Sequence, residues 1–321
     1  MTKTTSKVKN QITELLNIEY PVIQAAMVWL TSAEFVAAVS SAGGLGVLAS
    51  NAGQTEQATG PKDAAEKMRQ QIQKVRQITD KPFAVNYILP TFDKERSYDY
   101  SYSLLDVILA EKVEIVVLIS HGDSSDSSSI KRLQQAGIKI LFRDISPTLE
   151  SALAAEKLGV DALIITGHEA GGHLSEHQIS TQILLSQILK AINLPVIAAG
   201  GIYDAKTAHA AFAMGAQAVY IGTRFINTIE SPASMVCKEA IIGTSFDDLV
   251  IINSPVGQLR VIGKYNLDRQ ILASPQEYIG SFRHMLLGNK EPGYICVSQS
   301  AGAINDIISC KALITEIMSE V

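Results

Sequence analysis

Ala213-Met-Gly-Ala-Gln-Ala-Val-Tyr220 decides the fold. A helical pattern stops at a glycine, and a short run of apolar, strand-forming residues follows within a few positions. Glycine suits the position just past a helix because the left-handed turn there carries no Cβ penalty. The same handover occurs in Lys157-Leu-Gly-Val-Asp-Ala-Leu-Ile164 and in Gln135-Ala-Gly-Ile-Lys-Ile-Leu141. Working outward from these three, eight apolar runs lack the in–out alternation of a half-exposed strand: Pro21–Gln24, Leu45–Ala49, Phe83–Asn86, Ile115–Ile119, Lys139–Phe142, Ala162–Thr166, Pro195–Ala198 and Ala218–Gly222. Unalternating runs are what strands buried on both faces look like. Helical periodicity fills the intervals, as in Ala64–Ile78, Pro147–Leu158 and Ala205–Met214. Eight strands alternating with helices predict an α/β protein, a (β/α)8 TIM barrel, with a doubly wound open sheet as the alternative.

A barrel of this kind needs about 250 residues, and the chain has 321. The barrel is expected over residues 1–242. Residues 243–293 have little strand character and are expected to form a small, mostly helical lid or substrate subdomain. Residues 294–321 regain an apolar helical pattern and should return to pack on the barrel. The polar loops Asn51–Gly60 and His121-Gly-Asp-Ser-Ser-Asp-Ser-Ser-Ser129 follow the second and fourth strands, on the face where barrels place their chemistry.

Composition narrows the function. With 27 Lys+Arg against 32 Asp+Glu the net charge is −5, and no basic cluster offsets it, which excludes a nucleic-acid partner. Cys237, Cys296 and Cys310 are odd in number and lie in no metal-ligand spacing, which fits a reducing, cytoplasmic setting. The polar start and the absence of a long apolar block predict no signal peptide and no membrane association.

Two glycine clusters, Ala198-Ala-Gly-Gly-Ile202 and Tyr220-Ile-Gly-Thr-Arg224, close the seventh and eighth strands. In barrels these two strand ends form the usual phosphate cradle from backbone N–H groups; simple tight turning is the competing explanation. Ala42-Gly-Gly-Leu-Gly46 imitates a dinucleotide fingerprint but lies between a helix and a strand in the wrong order, so it is read as a turn. The densest chemistry is Gly167-His-Glu-Ala-Gly-Gly-His-Leu-Ser-Glu-His177 after the sixth strand. His168 and His173 are one residue too far apart for H-E-x-x-H, and the glycine pair opposes the helix that motif needs, so no metal is expected. A glycine turn that lets backbone approach a flat ligand, followed by one histidine aimed into the mouth, accounts for it better. His173 is that histidine. His168 and His177 are expected in the loop or behind it, and His209 and His284 on helix surfaces. In Gln24-Ala-Ala-Met-Val-Trp29, small residues at the end of the first strand either pack the core or leave room for a ring system.

Taken together these segments resemble the FMN-dependent family that joins nitronate monooxygenases (2-nitropropane dioxygenases) with flavin-type enoyl-acyl carrier protein reductases. The resemblance rests on Ile12-Thr-Glu-Leu-Leu-Asn-Ile-Glu-Tyr-Pro21, Gln24-Ala-Ala-Met27, Val39-Ser-Ser-Ala-Gly-Gly-Leu-Gly46, Lys81-Pro-Phe-Ala-Val-Asn86, Glu169-Ala-Gly-Gly-His173, Pro195-Val-Ile-Ala-Ala-Gly-Gly-Ile202 and Gly222-Thr-Arg-Phe225. It implies FMN over the C-terminal mouth of the barrel. The flavin would lie against Ala25, Ala26 and Met27, with Asn86 near the ring, Glu169 in the adjoining loop, and Gly171, Gly172, Gly200, Gly201, Gly222 and Thr223 around the ribityl phosphate. Gln299, in Ser298-Gln-Ser-Ala-Gly302, resembles the family's late glutamine near the flavin. Two departures stand out: Gln-Ala-Ala-Met replaces the more usual Gln-Gly-Gly-Met or Gln-Ala-Pro-Met, and Leu174-Ser-Glu-His-Gln178 lacks a glycine frequent after the histidine.

The implied activity is oxidation of an alkyl nitronate with dioxygen to a carbonyl compound and nitrite, with His173 as base or hydrogen-bond donor; a reference pKa of about 6.5 allows either role near neutrality. The alternatives are an enoyl-thioester reductase with NAD(P)H as electron donor, which the segment Met27-Val-Trp29 also suits, and a flavin-binding module without turnover. The partner expected is a small molecule, with a homodimer left open.

Overall fold

The computed structural model describes residues 8–90, 95–121, 126–254, 257–263, 282–288 and 293–319. Eight parallel strands alternate with helices: β1 (Val22–Gln24), β2 (Gly46–Leu48), β3 (Phe83–Ile88), β4 (Ile115–Ser120), β5 (Lys139–Asp144), β6 (Ala162–Thr166), β7 (Val196–Ala199) and β8 (Ala218–Ile221). Each strand pairs in parallel with its sequence neighbour from β2 to β8, and β8 pairs back onto β1. A parallel bridge between Ile23 and Leu45 closes the ring. This is the (β/α)8 barrel, and each expected strand run coincides with one of its staves.

Side-chain parity explains why the runs do not alternate. On β4, Ile115 and Val117 point into the barrel while Val116 and Leu118 point out to the helices, and all four are buried. The interior is plugged from below by Ile12 and Leu16 on the first helix, Gln11–Leu16. Asn10 caps that helix by accepting the N–H of Thr13, and its amide donates to Gln217 O at 2.7 Å, which holds the plug against the start of β8. The outer core lies between strands and helices, for example Met68, Ile72 and Val75 on the helix Pro61–Ile78.

The described part of the segment 243–293 departs from the helical expectation. It holds a helical turn at 282–287 but is dominated by an antiparallel hairpin, β9 (Leu249–Ser254) and β10 (Gly257–Ile262). Residues 255–256, 264–281 and 289–292 lie outside the described residues, as does 122–125 in the serine-rich loop. The hairpin is hard to read from sequence because Leu249-Val-Ile-Ile-Asn-Ser254 has mixed exposure and no clean period. It is anchored by the chain on either side of it. The two-residue strand Gly172–His173 pairs antiparallel with β10, and Val261 bridges to Cys296. Downstream, the helix Cys310–Ile317 buries Leu313, Ile314 and Ile317 in the outer core. No helix among the described residues is long and apolar enough to cross a membrane.

Candidate active site

Counting in twos along the strands explains what reaches the mouth. Inward-facing Leu141 puts Arg143 inward one layer higher; Ile164 does the same for Thr166, Ala218 for Tyr220, and Ala84 for Asn86. The top layer of the barrel interior is therefore polar above an apolar plug. These side chains hold one another in place. Arg143 Nε donates to Thr166 Oγ1 at 2.9 Å, Asn86 donates its amide to Val117 O at 3.0 Å, and the Ala26 N–H donates to the Tyr220 hydroxyl at 2.7 Å. Burial pushes the Tyr220 phenol upward in pKa, with the Arg143 charge opposing it, so Tyr220 is a neutral hydroxyl at physiological pH.

Above this layer opens a cavity of about 660 Å³, within the range of small-molecule and cofactor sites. Eleven of the residues expected to bind flavin or substrate line it: Ala25, Ala26, Met27, Asn86, Gly171, Gly172, His173, Gly200, Gly201, Gly222 and Thr223. Two do not. Gln299 is exposed, and what it contributes is a backbone N–H donated to Glu169 O at 2.9 Å. Glu169 turns its carboxylate away from the cavity to accept both the N–H and the hydroxyl of Thr181 at 2.9 Å. Thr181 opens the helix Thr181–Ile188, and its hydroxyl also lies 3.1 Å from Ala199 O and from Gly200 O, alternative acceptors for its single proton. Glu169 thus ties the loop after β6 to the glycine turn after β7 and is a pin of the frame. Glu169→Ala is expected to lower unfolding stability by about 1–3 kcal/mol, the cost of leaving buried donors unpaired, in a urea titration, with FMN uptake retained.

Close approach requires glycine at position 171. A Cβ on Gly171 would lie 2.5 Å from the carbonyl carbon of Val297 and 2.6 Å from Ser298 N, so only glycine lets the two backbones meet there. Ser298 N continues the contact by donating to Thr223 Oγ1 at 2.8 Å, which joins the returning segment to the strand-eight turn. Gly200 and Gly201 have φ of +104° and +74°, conformations that glycine adopts without a Cβ penalty, and both line the cavity. A Cβ on Gly222 would stand 3.7 Å from Ala25 Cβ and 3.8 Å from Met27 Sδ, both on the cavity wall, so the space beside this glycine belongs to the cavity. A cradle of this shape fits the phosphate of FMN, with the small Ala25 and Ala26 leaving room for a ring.

His173 reaches the cavity from the strand it forms with β10, Leu259 lying opposite it. Its ring meets His121 edge to face, with centroids 6.5 Å apart and planes at 82°. His121 and Arg143 are two cavity residues that the sequence motifs do not nominate. Arg143 is legible through strand parity; His121 has no such signal, since it lies just past β4 in a serine-rich loop. His177 is exposed, as expected, and so is His209. His284 departs from the surface expectation: it is half-buried, packed close to Gly293, and burial lowers its pKa. His168 lies behind the loop with Nδ1 buried and unpaired, and burial together with the Arg260 charge lowers its pKa. The three cysteines are free and buried; Cys296 lines the cavity.

The family model described as nitronate monooxygenase matches residues 9–320. The chain belongs to the nitronate monooxygenase family. It is 32% identical over 287 residues to a probable nitronate monooxygenase of Staphylococcus aureus, a match covering 78% of this chain and 77% of the relative. Among solved structures it is similar to FabK from Thermotoga maritima, at 34% identity and a TM-score of 0.82 over 98% of this chain and 96% of that one. It is also similar to nitroalkane oxidase from Streptomyces ansochromogenes, at 25% identity and a TM-score of 0.79 over 97% of each chain. The protein is an oxidoreductase of a flavin-dependent family.

Proposed function

We propose that this protein binds FMN across the mouth of the barrel and oxidises alkyl nitronates. One observation carries the reading: the described cavity wall presents Arg143, His121 and His173 and includes no aspartate or glutamate. Among the described residues an anion therefore meets hydrogen-bond donors and no opposing carboxylate, and a nitronate is an anion whose charge sits on two oxygens. Interactions of this kind strengthen in a site that excludes water.

The glycine turns after β7 and β8 would hold the flavin phosphate, and Ala25–Met27 with Asn86 would face the ring. When bound, FMN supplies the electron transfer and the reaction with dioxygen that side chains lack. The chain orients and moves protons. His173 would donate a hydrogen bond to a nitronate oxygen, or take the proton of the neutral nitroalkane. His121, whose ring meets that of His173 edge to face, would share the substrate's polar end. Apolar residues such as Leu30, Ile88, Ile119, Ile202 and Ile226 would hold the alkyl part and shed water.

A second reading has support of its own. FabK, a flavin enoyl-acyl carrier protein reductase, matches nearly the full length of this chain, and the same apolar wall would suit an acyl chain. One experiment separates the two. The purified, FMN-loaded protein is mixed without oxygen with NADPH or NADH, and separately with propyl nitronate in air. The expected result is a flavin spectrum that survives the nicotinamides and oxygen uptake on the nitronate. Rapid bleaching by a nicotinamide, followed by turnover of a crotonyl thioester, would replace nitronate oxidation with enoyl reduction. A protein that takes up no FMN would sink both.

A further inference from the structure

Arg260 lies outside the cavity wall, yet it is 3% exposed. A guanidinium taken this far out of water is unfavourable unless its donors are used. Its Nη1 is used twice: it donates to His168 O and to Ala170 O, each at 2.6 Å. Both acceptors belong to the turn that leads directly into Gly171-Gly172-His173. The same residue lies opposite Gly172 in the ladder between β10 and the short strand, and Leu174 N donates to Gln258 O at 2.9 Å one step further along. On its other side β10 is held to the returning segment, Val297 N donating to Arg260 O at 3.2 Å. Arg260 thus grips the turn before His173 with its side chain, while its own backbone carries the strand on which His173 sits.

A two-residue strand is too short to fix a side chain by its ladder alone. Gly171 and Gly172 immediately before it are intrinsically the least restricted residues a chain can have, so the contacts around this turn have to supply the restraint. Something must remove that freedom if the imidazole is to meet substrate in one direction. We propose that Arg260 is a positioning residue for His173: by holding the His168 and Ala170 carbonyls it locks the glycine turn and so fixes where the imidazole points. The proposal rests on His173 acting at the substrate.

The test is a double-mutant cycle on the full-length, FMN-loaded enzyme, with hydrogen exchange of the 170–173 amides measured beside it. Arg260→Met keeps the aliphatic stem and removes both donors; Arg260→Lys keeps a charge that can serve one or both carbonyls. Turnover of Arg260→Met on propyl nitronate, or on a nicotinamide should the protein prove a reductase, is expected to fall about 10²-fold with a much smaller change in KM, because a misplacement of about 1 Å is worth that much. Arg260→Lys should recover part of the loss, and exchange of the loop amides should speed up in the methionine variant. Placed in a His173→Ala background, Arg260→Met should cost almost nothing further, since energies of residues acting through one another do not add. Equal losses in the two backgrounds, with loop exchange unchanged, would overturn the proposal. A His173→Ala enzyme as active as wild type would instead remove the reading beneath it, a distinct result. Should Arg260→Met not fold, the lysine variant enters the same cycle, and additive losses there would overturn the proposal equally.

Discussion

Turnover of His173→Ala is expected to fall by about 10²-fold or more, the usual worth of a positioned acid or base, while FMN remains bound. The structure separates the two effects. The turns after β7 and β8 are the ones proposed to hold the phosphate, whereas His173 comes from the strand that pairs with β10. Truncating the imidazole leaves both glycine turns and the Glu169–Thr181 pin intact. His177→Ala is the control: it lies four residues on in the same loop, is exposed, and should be nearly silent. His121→Ala should fall between them if both imidazoles meet the substrate's polar end. Measurements at saturating substrate with matched flavin content decide it. Equal activity of the His173 and His177 variants would show that the imidazole does nothing more than fill the loop.

The barrel is legible because its staves are buried on both faces, and burial on both faces writes itself as an unbroken apolar run. The glycine clusters and His173 are legible for a different reason: glycine pairs at strand ends in an apolar chain have few uses. Glu169 and Gln299, which the resemblance nominates, do not line the described cavity. Nothing in the sequence shows which way a loop carboxylate turns, and Glu169 turns to the helix start at Thr181 instead of the cavity. Arg143 and Tyr220 follow from extending the inward parity of Leu141 and Ala218 by one step. Arg260 does not. Its strand reads as a mixed stretch in a segment that looks helical, and its importance appears only once the hairpin is folded back against residues 168–173.

Gly222→Asp is expected to abolish flavin binding while leaving the barrel folded, and it isolates the phosphate cradle better than a substitution at Gly201. At Gly201 the φ of +74° would strain any side chain, and a Cβ would stand 3.1 Å from Glu169 Cβ, so a loss there mixes folding with binding. Gly222 has an ordinary φ of −102°, which any residue can adopt, and precedes the short helix Thr223–Ile226. Its Cβ would meet only Ala25 Cβ at 3.7 Å and Met27 Sδ at 3.8 Å, in ordinary contact. The carboxylate then enters the cavity between the turn proposed to hold the phosphate and the Ala25–Met27 wall proposed to face the ring. Two like charges about 4 Å apart repel by about 4 kcal/mol at an effective dielectric of about 20, roughly a 10³-fold loss of affinity. Gly222→Ala adds the volume without the charge and should bind FMN far better than the aspartate variant. Flavin absorbance of the purified variants, with circular dichroism to confirm the fold, reads the outcome. An aspartate variant that retains its full complement of FMN would place the phosphate somewhere other than the turn after β8.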